Sequence, residues 1–155
     1  MTGSVDAKPF GRCDNRWVTT GWGSYLRTIR PFGGNQELAE RVFGQVDRLR
    51  SLVNNVGGSY NDRSLTDDGY EATLAMNFIG PFALTEALLP ALVSSAPARV
   101  VNLASAAHAM WKGDPLEDAQ SQEAYLGLRA YARTKLLNLL WTFALARRLG
   151  DRAVS

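Results

Sequence analysis

The sequence is short of several things. Its one cysteine, Cys13, cannot form an internal disulfide, which agrees with a reducing compartment. Its one histidine, His108, has no Cys/His partner set, so no metal site is expected and a loop role is the simpler reading. The formal net charge is only +2, which gives no reason to expect nucleic acid or an acidic membrane surface as a partner. No apolar run reads as long enough to span a bilayer. Met1 to Phe10 lacks the basic-then-apolar order of a secretory signal. Internal repeats and low-complexity tracts are missing too. The expectation is a cytoplasmic globular protein without a membrane span. With 155 residues, 46% apolar and 21% charged, one domain around one core is within reach.

Residues 1–35 show neither a helical nor a strand period, and they read as an irregular or unrelated N-terminal segment. Trp17-Val18-Thr19-Thr20 could form a short strand, but Gly21, Gly23, Pro31, Gly33 and Gly34 punctuate the residues after it. From Gln36 the pattern sharpens. Leu38, Val42 and Val46 recur at helical spacing through Arg48. Leu49 to Val53 is a short apolar run that ends in Asn54-Asn55-Val56-Gly57-Gly58, a strand entering a turn. Ser64, Thr66 and Asp67 are candidate caps for a helix over Gly69 to Val93, kinked at Gly80-Pro81. Arg99 to Leu103 reads as a second strand, ending at Ala104-Ser105. Residues 109–123 are polar loop. Within them Asp114, Glu117, Asp118 and Glu123 read as a solvated acidic stretch. Ala124 to Leu149 is a third helix, with Leu136, Leu140 and Phe143 on one side and Leu139, Trp141 and Leu145 widening the apolar surface.

The order helix, strand, helix, strand, helix argues for right-handed βαβ units, hence an α/β fold with a parallel sheet and flanking helices. In such sheets ligands sit beyond the carboxyl ends of the strands. That places Asn54 to Gly58 and Ser105 at a site. Within the third helix, Tyr131 and Lys135 lie one turn apart on one face. A nearby ammonium favours a phenolate, which a tyrosine needs to act as acid or base near neutrality. Five tyrosines and three lysines would give about 0.1 such pairs by chance on the helix-face criterion, so the pair gains meaning only from its company. Taken singly, Ser105 reads first as a strand terminator, and Asn77 could equally be a satisfied structural amide.

Four ordered pieces resemble the short-chain dehydrogenase/reductase family. Asn54-Asn55-Val56-Gly57 is similar to its Asn-Asn-Ala-Gly turn, and Met76-Asn77-Phe78-Ile79-Gly80 to its Val-Asn-x-x-Gly segment. Arg99 to Ser105 resembles the strand that presents the catalytic serine. Tyr131 to Lys135 matches its Tyr-x-x-x-Lys pair, followed by Leu136-Leu137-Asn138. The Ala-His after Ser105 and the long insert before Tyr131 are similar to the retinol-dehydrogenase-like branch.

The resemblance, over roughly Gln36 to Leu149, implies a partial doubly wound, Rossmann-like sheet, with residues 36–155 as its central part. It implies an oxidoreductase that uses NAD or NADP to interconvert a carbonyl and a secondary or primary alcohol. Tyr131 would be the acid/base and Lys135 would lower its pKa and bind the nicotinamide ribose. Ser105 would hold the substrate oxygen, and Asn77 would support a water linking Lys135 to solvent. Asn54, Asn55 and Gly57 would border the cofactor. The substrate would be a small-molecule carbonyl or alcohol, and helices 69–93 and 124–149 would form a homo-oligomer interface.

The family's Gly-rich phosphate turn has no match ahead of Asn54, where only 53 residues stand. Thr20-Gly21-Trp22-Gly23 echoes it at the wrong spacing, and Thr28 or its neighbours stand where an adenine-contacting aspartate is common. The chain therefore reads as an internal segment with an unrelated or frame-shifted head. The alternative function is a truncated, non-catalytic fragment, at most an association module.

Overall fold

Three short apolar runs become three parallel strands. The computed structural model describes residues 18–19 and 33–150. β1 (Val18–Thr19), β2 (Ser51–Asn54) and β3 (Arg99–Asn102) form one sheet in the order β1-β2-β3. Val18 pairs with Leu52, Thr19 with Val53, and Asn54 with Asn102. The strand option at Trp17 to Thr20 is thus realised over Val18–Thr19. The Thr20-Gly21-Trp22-Gly23 echo, Thr28 and Cys13 lie outside the described residues.

α1 (Gly33–Gln45) starts three residues before the expected Gln36. α2 (Ala72–Leu74) passes through a π-helical turn (Ala75–Ile79) into α3 (Gly80–Ser94), and α4 is Gly127–Leu149. The expected caps Ser64, Thr66 and Asp67 give way to Glu71. Its carboxylate accepts the N–H groups of Thr73 at 2.7 Å and Leu74 at 2.8 Å, which satisfies two free donors of the first turn.

The expected irregularity at Gly80-Pro81 falls one turn earlier. Pro81 has no N–H to offer the carbonyl of Asn77, four residues back, and its ring crowds that carbonyl. The helix widens there, and the Gly80 N–H reaches the Ala75 carbonyl, five residues back. Asn77 therefore sits in a turn whose backbone is opened by a proline.

One core joins the elements. Leu84, Leu88 and Leu92 form an i, i+4 stripe on α3, and Trp141, Leu145 and Leu149 form another on α4. Both pack with Ala39 and Val42 of α1, with Leu49 just before β2 and with Leu52 of β2. The broad apolar surface expected of α4 divides between core and exterior. Leu140 and Phe143 are 47% and 54% exposed, whereas Trp141 and Leu145 are buried. The buried face is Ala130, Thr134, Leu137, Asn138, Trp141 and Leu145, and the two polar residues on it are hydrogen-bonded inside.

By length and composition the helical stretch 72–94 could cross a bilayer, contrary to the sequence expectation. Its fully buried leucines build this core, which accounts for its apolar character within the fold.

Candidate active site

Parallel strands in register deliver their ends to one edge. Asn54 and Asn102 are paired, and the Leu103 N–H extends the ladder to the Asn54 carbonyl at 3.0 Å. The segments beyond them, Asn55 to Gly58 and Leu103 to Ser105, therefore leave the sheet side by side.

α4 brings Lys135 to this edge. The residue is 3% exposed, and its Nζ donates to the Leu103 carbonyl at 2.9 Å. The ammonium lies 5.5 Å from the ring centroid of Tyr131, one turn back and half-buried. Burial pushes the Lys135 pKa below its ordinary value, because desolvation penalises the charged form. Gly57 faces it. A Cβ there would stand 2.9 Å from Lys135 Nζ and 3.4 Å from Asn77 Oδ1, so only glycine leaves this space open.

Asn77 locks the neighbouring backbone. Its amide forms a reciprocal pair with Gly58, accepting the N–H at 2.8 Å and donating to the carbonyl at 2.8 Å, and it donates to Thr134 Oγ1 at 2.9 Å. Asn138 Nδ2 donates to the Asn77 carbonyl at 3.0 Å. That is the carbonyl Pro81 cannot serve.

Ser105 is extended (φ −153°, ψ 149°) and opens a 3₁₀ turn, Ala106–Met110, that packs against α4. Its Oγ accepts the Ala107 N–H at 3.2 Å. Asn54, proposed from the sequence at the cofactor side, turns its amide inward to Thr85 Oγ1 (3.0 Å) and Asn102 Oδ1 (2.8 Å). Asn55 is exposed at the same edge.

The structure thus gathers Gly57, Asn77, Tyr131 and Lys135, with Ser105 on the adjoining strand end and Asn54 beneath. Sequence reasoning assigned no role to Thr134 or to the clasp that holds the insert. Trp111 lies against the guanidiniums of Arg129 (5.0 Å) and Arg133 (4.4 Å). Buried Arg133 also donates to the Asp118 carbonyl and to Ser121 Oγ, fixing two residues with positive φ. Burial lowers the Arg133 pKa from its ordinary value. The visible signal was the spacing: Arg129 and Arg133 are one turn apart, on a face of α4 that also carries Ala130 and Thr134.

A sequence profile described as short chain dehydrogenase matches residues 28–113. Retinol dehydrogenase 12 of Mus musculus is 44% identical over 132 residues, covering 85% of this chain and 40% of that protein. Among solved structures, an uncharacterized protein from Mycobacterium paratuberculosis superposes with a TM-score of 0.64 at 36% identity, over 77% of this chain and 44% of its own. The NADP active-site complex of Pseudomonas aeruginosa RhlG superposes with a TM-score of 0.63 at 27% identity, over 83% and 47%. The chain spans about two fifths of the length of the curated relatives it matches.

Proposed function

The chain belongs to the short-chain dehydrogenase family, and from that premise we propose that it carries the proton-transfer half of an NAD(P)-dependent oxidoreductase site. The reaction is interconversion of a carbonyl and a secondary or primary alcohol. The observation that carries this reading is Lys135. An ammonium has three donors, and the Leu103 carbonyl takes one. The other two suit the hydroxyls of a ribose, and the missing Cβ at Gly57 leaves room beside them. The residues present therefore fit a nicotinamide dinucleotide, either NAD or NADP.

When bound, such a cofactor supplies or accepts the hydride. The protein handles the oxygen. The Tyr131 hydroxyl gives a proton to the forming alkoxide in reduction, which leaves the phenolate, and in oxidation the phenolate takes the proton back from the alcohol. The Ser105 hydroxyl donates a second hydrogen bond to the same oxygen, and the Lys135 charge stabilises the developing negative charge. Asn77 keeps Gly58 and Thr134 in place, so that α4 holds its position against the strand ends. Asn55 and Gly57 border the cofactor, and Asn54 fixes the strand end below them. Exposed Met110, Leu126 and Leu128, on the elements flanking Ser105 and Tyr131, favour an apolar substrate. The outward apolar residues of α3 and α4 serve as the contact between two copies of the chain.

Binding of NAD, NADH, NADP and NADPH is measured by tryptophan fluorescence, followed by turnover on a series of aldehydes and alcohols. Tyr131→Phe is expected to keep cofactor affinity within about twofold and to lose roughly 10²–10⁴ in turnover. Unchanged turnover in that variant removes the assignment.

A further inference from the structure

The 3₁₀ turn after Ser105 holds the chain's only histidine. The Ser105 carbonyl accepts two hydrogen bonds from that one residue: the His108 backbone N–H at 3.0 Å and the ring Nδ1 at 2.7 Å. We propose that His108 is a positioning residue for Ser105, a staple that fixes the direction of the serine hydroxyl.

A carbonyl oxygen only accepts, so the ring nitrogen facing it must carry the proton. The hydrogen bond therefore selects the Nδ1–H tautomer of neutral His108. With the carbonyl held twice, the peptide plane between Ser105 and Ala106 cannot rotate without breaking both bonds. The next peptide, between Ala106 and Ala107, lies inside the turn that these two bonds close, and its N–H reaches Ser105 Oγ at 3.2 Å. One lone pair of Oγ is then occupied, and the hydroxyl proton points away from that N–H, available to an oxygen of another molecule. A strand end that merely terminates a sheet has no need of this. A hydroxyl that must meet a substrate oxygen within hydrogen-bond reach does, since small misplacements are expensive in rate.

The catalytic consequence rests on the oxidoreductase reading, whereas the staple itself can be read without turnover. Because there is one histidine, the ring nitrogens of tag-free, ¹⁵N-labelled protein give one unambiguous pair of signals. Their long-range proton couplings are expected to place the proton of the neutral ring on Nδ1. A proton on Nε2 overturns the proposal.

Two variants then test the consequence. His108→Asn keeps an N–H donor at the place of Nδ1, and His108→Leu keeps bulk without a donor. The Leu variant is expected to lose about tenfold or more in kcat with cofactor KM unchanged, and the Asn variant to stay within about threefold of the parent. Equal kcat in the Leu variant and the parent overturns the positioning role. If the Leu variant does not fold, an Asn variant as impaired as a folded His108→Ala protein overturns it instead. If the parent protein itself shows no turnover, the oxidoreductase reading fails, and the nitrogen spectrum still decides whether His108 staples Ser105.

Discussion

Lys135 is a buried cation with a single main-chain acceptor, and that arrangement serves a site better than it serves a fold. Its pKa is lower in the folded chain than in the unfolded one, so between the two values the folded state binds fewer protons. The penalty is full below the lowered value and fades as pH rises toward 10.5, the ordinary lysine value. Lys135→Met is therefore expected to raise the unfolding free energy near neutral pH by about 1 kcal/mol while abolishing turnover. The advantage of the variant should shrink as pH climbs into that window. Urea denaturation of both proteins at two pH values checks it, and a destabilised Met variant at neutral pH contradicts it. At this scale the sequence names the candidate side chains, because Tyr131, Lys135, Asn77 and Ser105 stand in an ordered pattern. Their partners were hidden. The Leu103 carbonyl, the Gly58 peptide and the Ser105 carbonyl are main-chain groups, and no residue type announces that a backbone atom is an acceptor.

The unit that places these residues is the pairing of α4 with the proline-opened turn before α3. Asn138 donates to the Asn77 carbonyl because Pro81 cannot, and Asn77 in turn reaches Thr134 on the same face of α4. The polar chain continues from the Asn138 carbonyl through Thr142 Oγ1 (2.7 Å) to Asn102 of β3, and from there to Asn54 and Thr85. The apolar pattern of α4 picks out Trp141 and Leu145 but not the whole buried face, because that face includes an amide and a hydroxyl that find partners inside. Asn138→Ala is expected to cost roughly 1–3 kcal/mol, the price of leaving a buried carbonyl unpaired. The cause can be isolated by a double-mutant cycle. Pro81→Ala restores an N–H four residues after Asn77, so the same Asn138→Ala change should cost measurably less in that background. Additive losses in chemical denaturation would refute the proline account.

For the molecule as a whole, alternating periodicities were enough to read a parallel sheet with helices against it, and the strand ends are where the candidate residues meet. β1 was only an option, because two residues carry no period; its membership of the sheet depends on pairing with β2, a long-range contact. The outer surface carries the apolar residues of α3 and α4 that the core leaves out. Phe82 of α3 and Trp141 of α4 meet at 5.6 Å between centroids, Phe78 joins them at 6.0 and 6.2 Å, and Leu140 and Phe143 project beyond. Such an apolar band is more than scattered surface residues require, and a second copy offering the same band would cover it about a twofold axis. The chain is accordingly expected to sediment as a dimer. Leu140→Glu with Phe143→Glu should yield monomers with unchanged far-UV circular dichroism, because both side chains lie outside the core. A parent protein that sediments as a monomer at tens of micromolar would exclude this interface. Loss of secondary structure in the double variant would mean that these residues support the fold itself rather than its pairing.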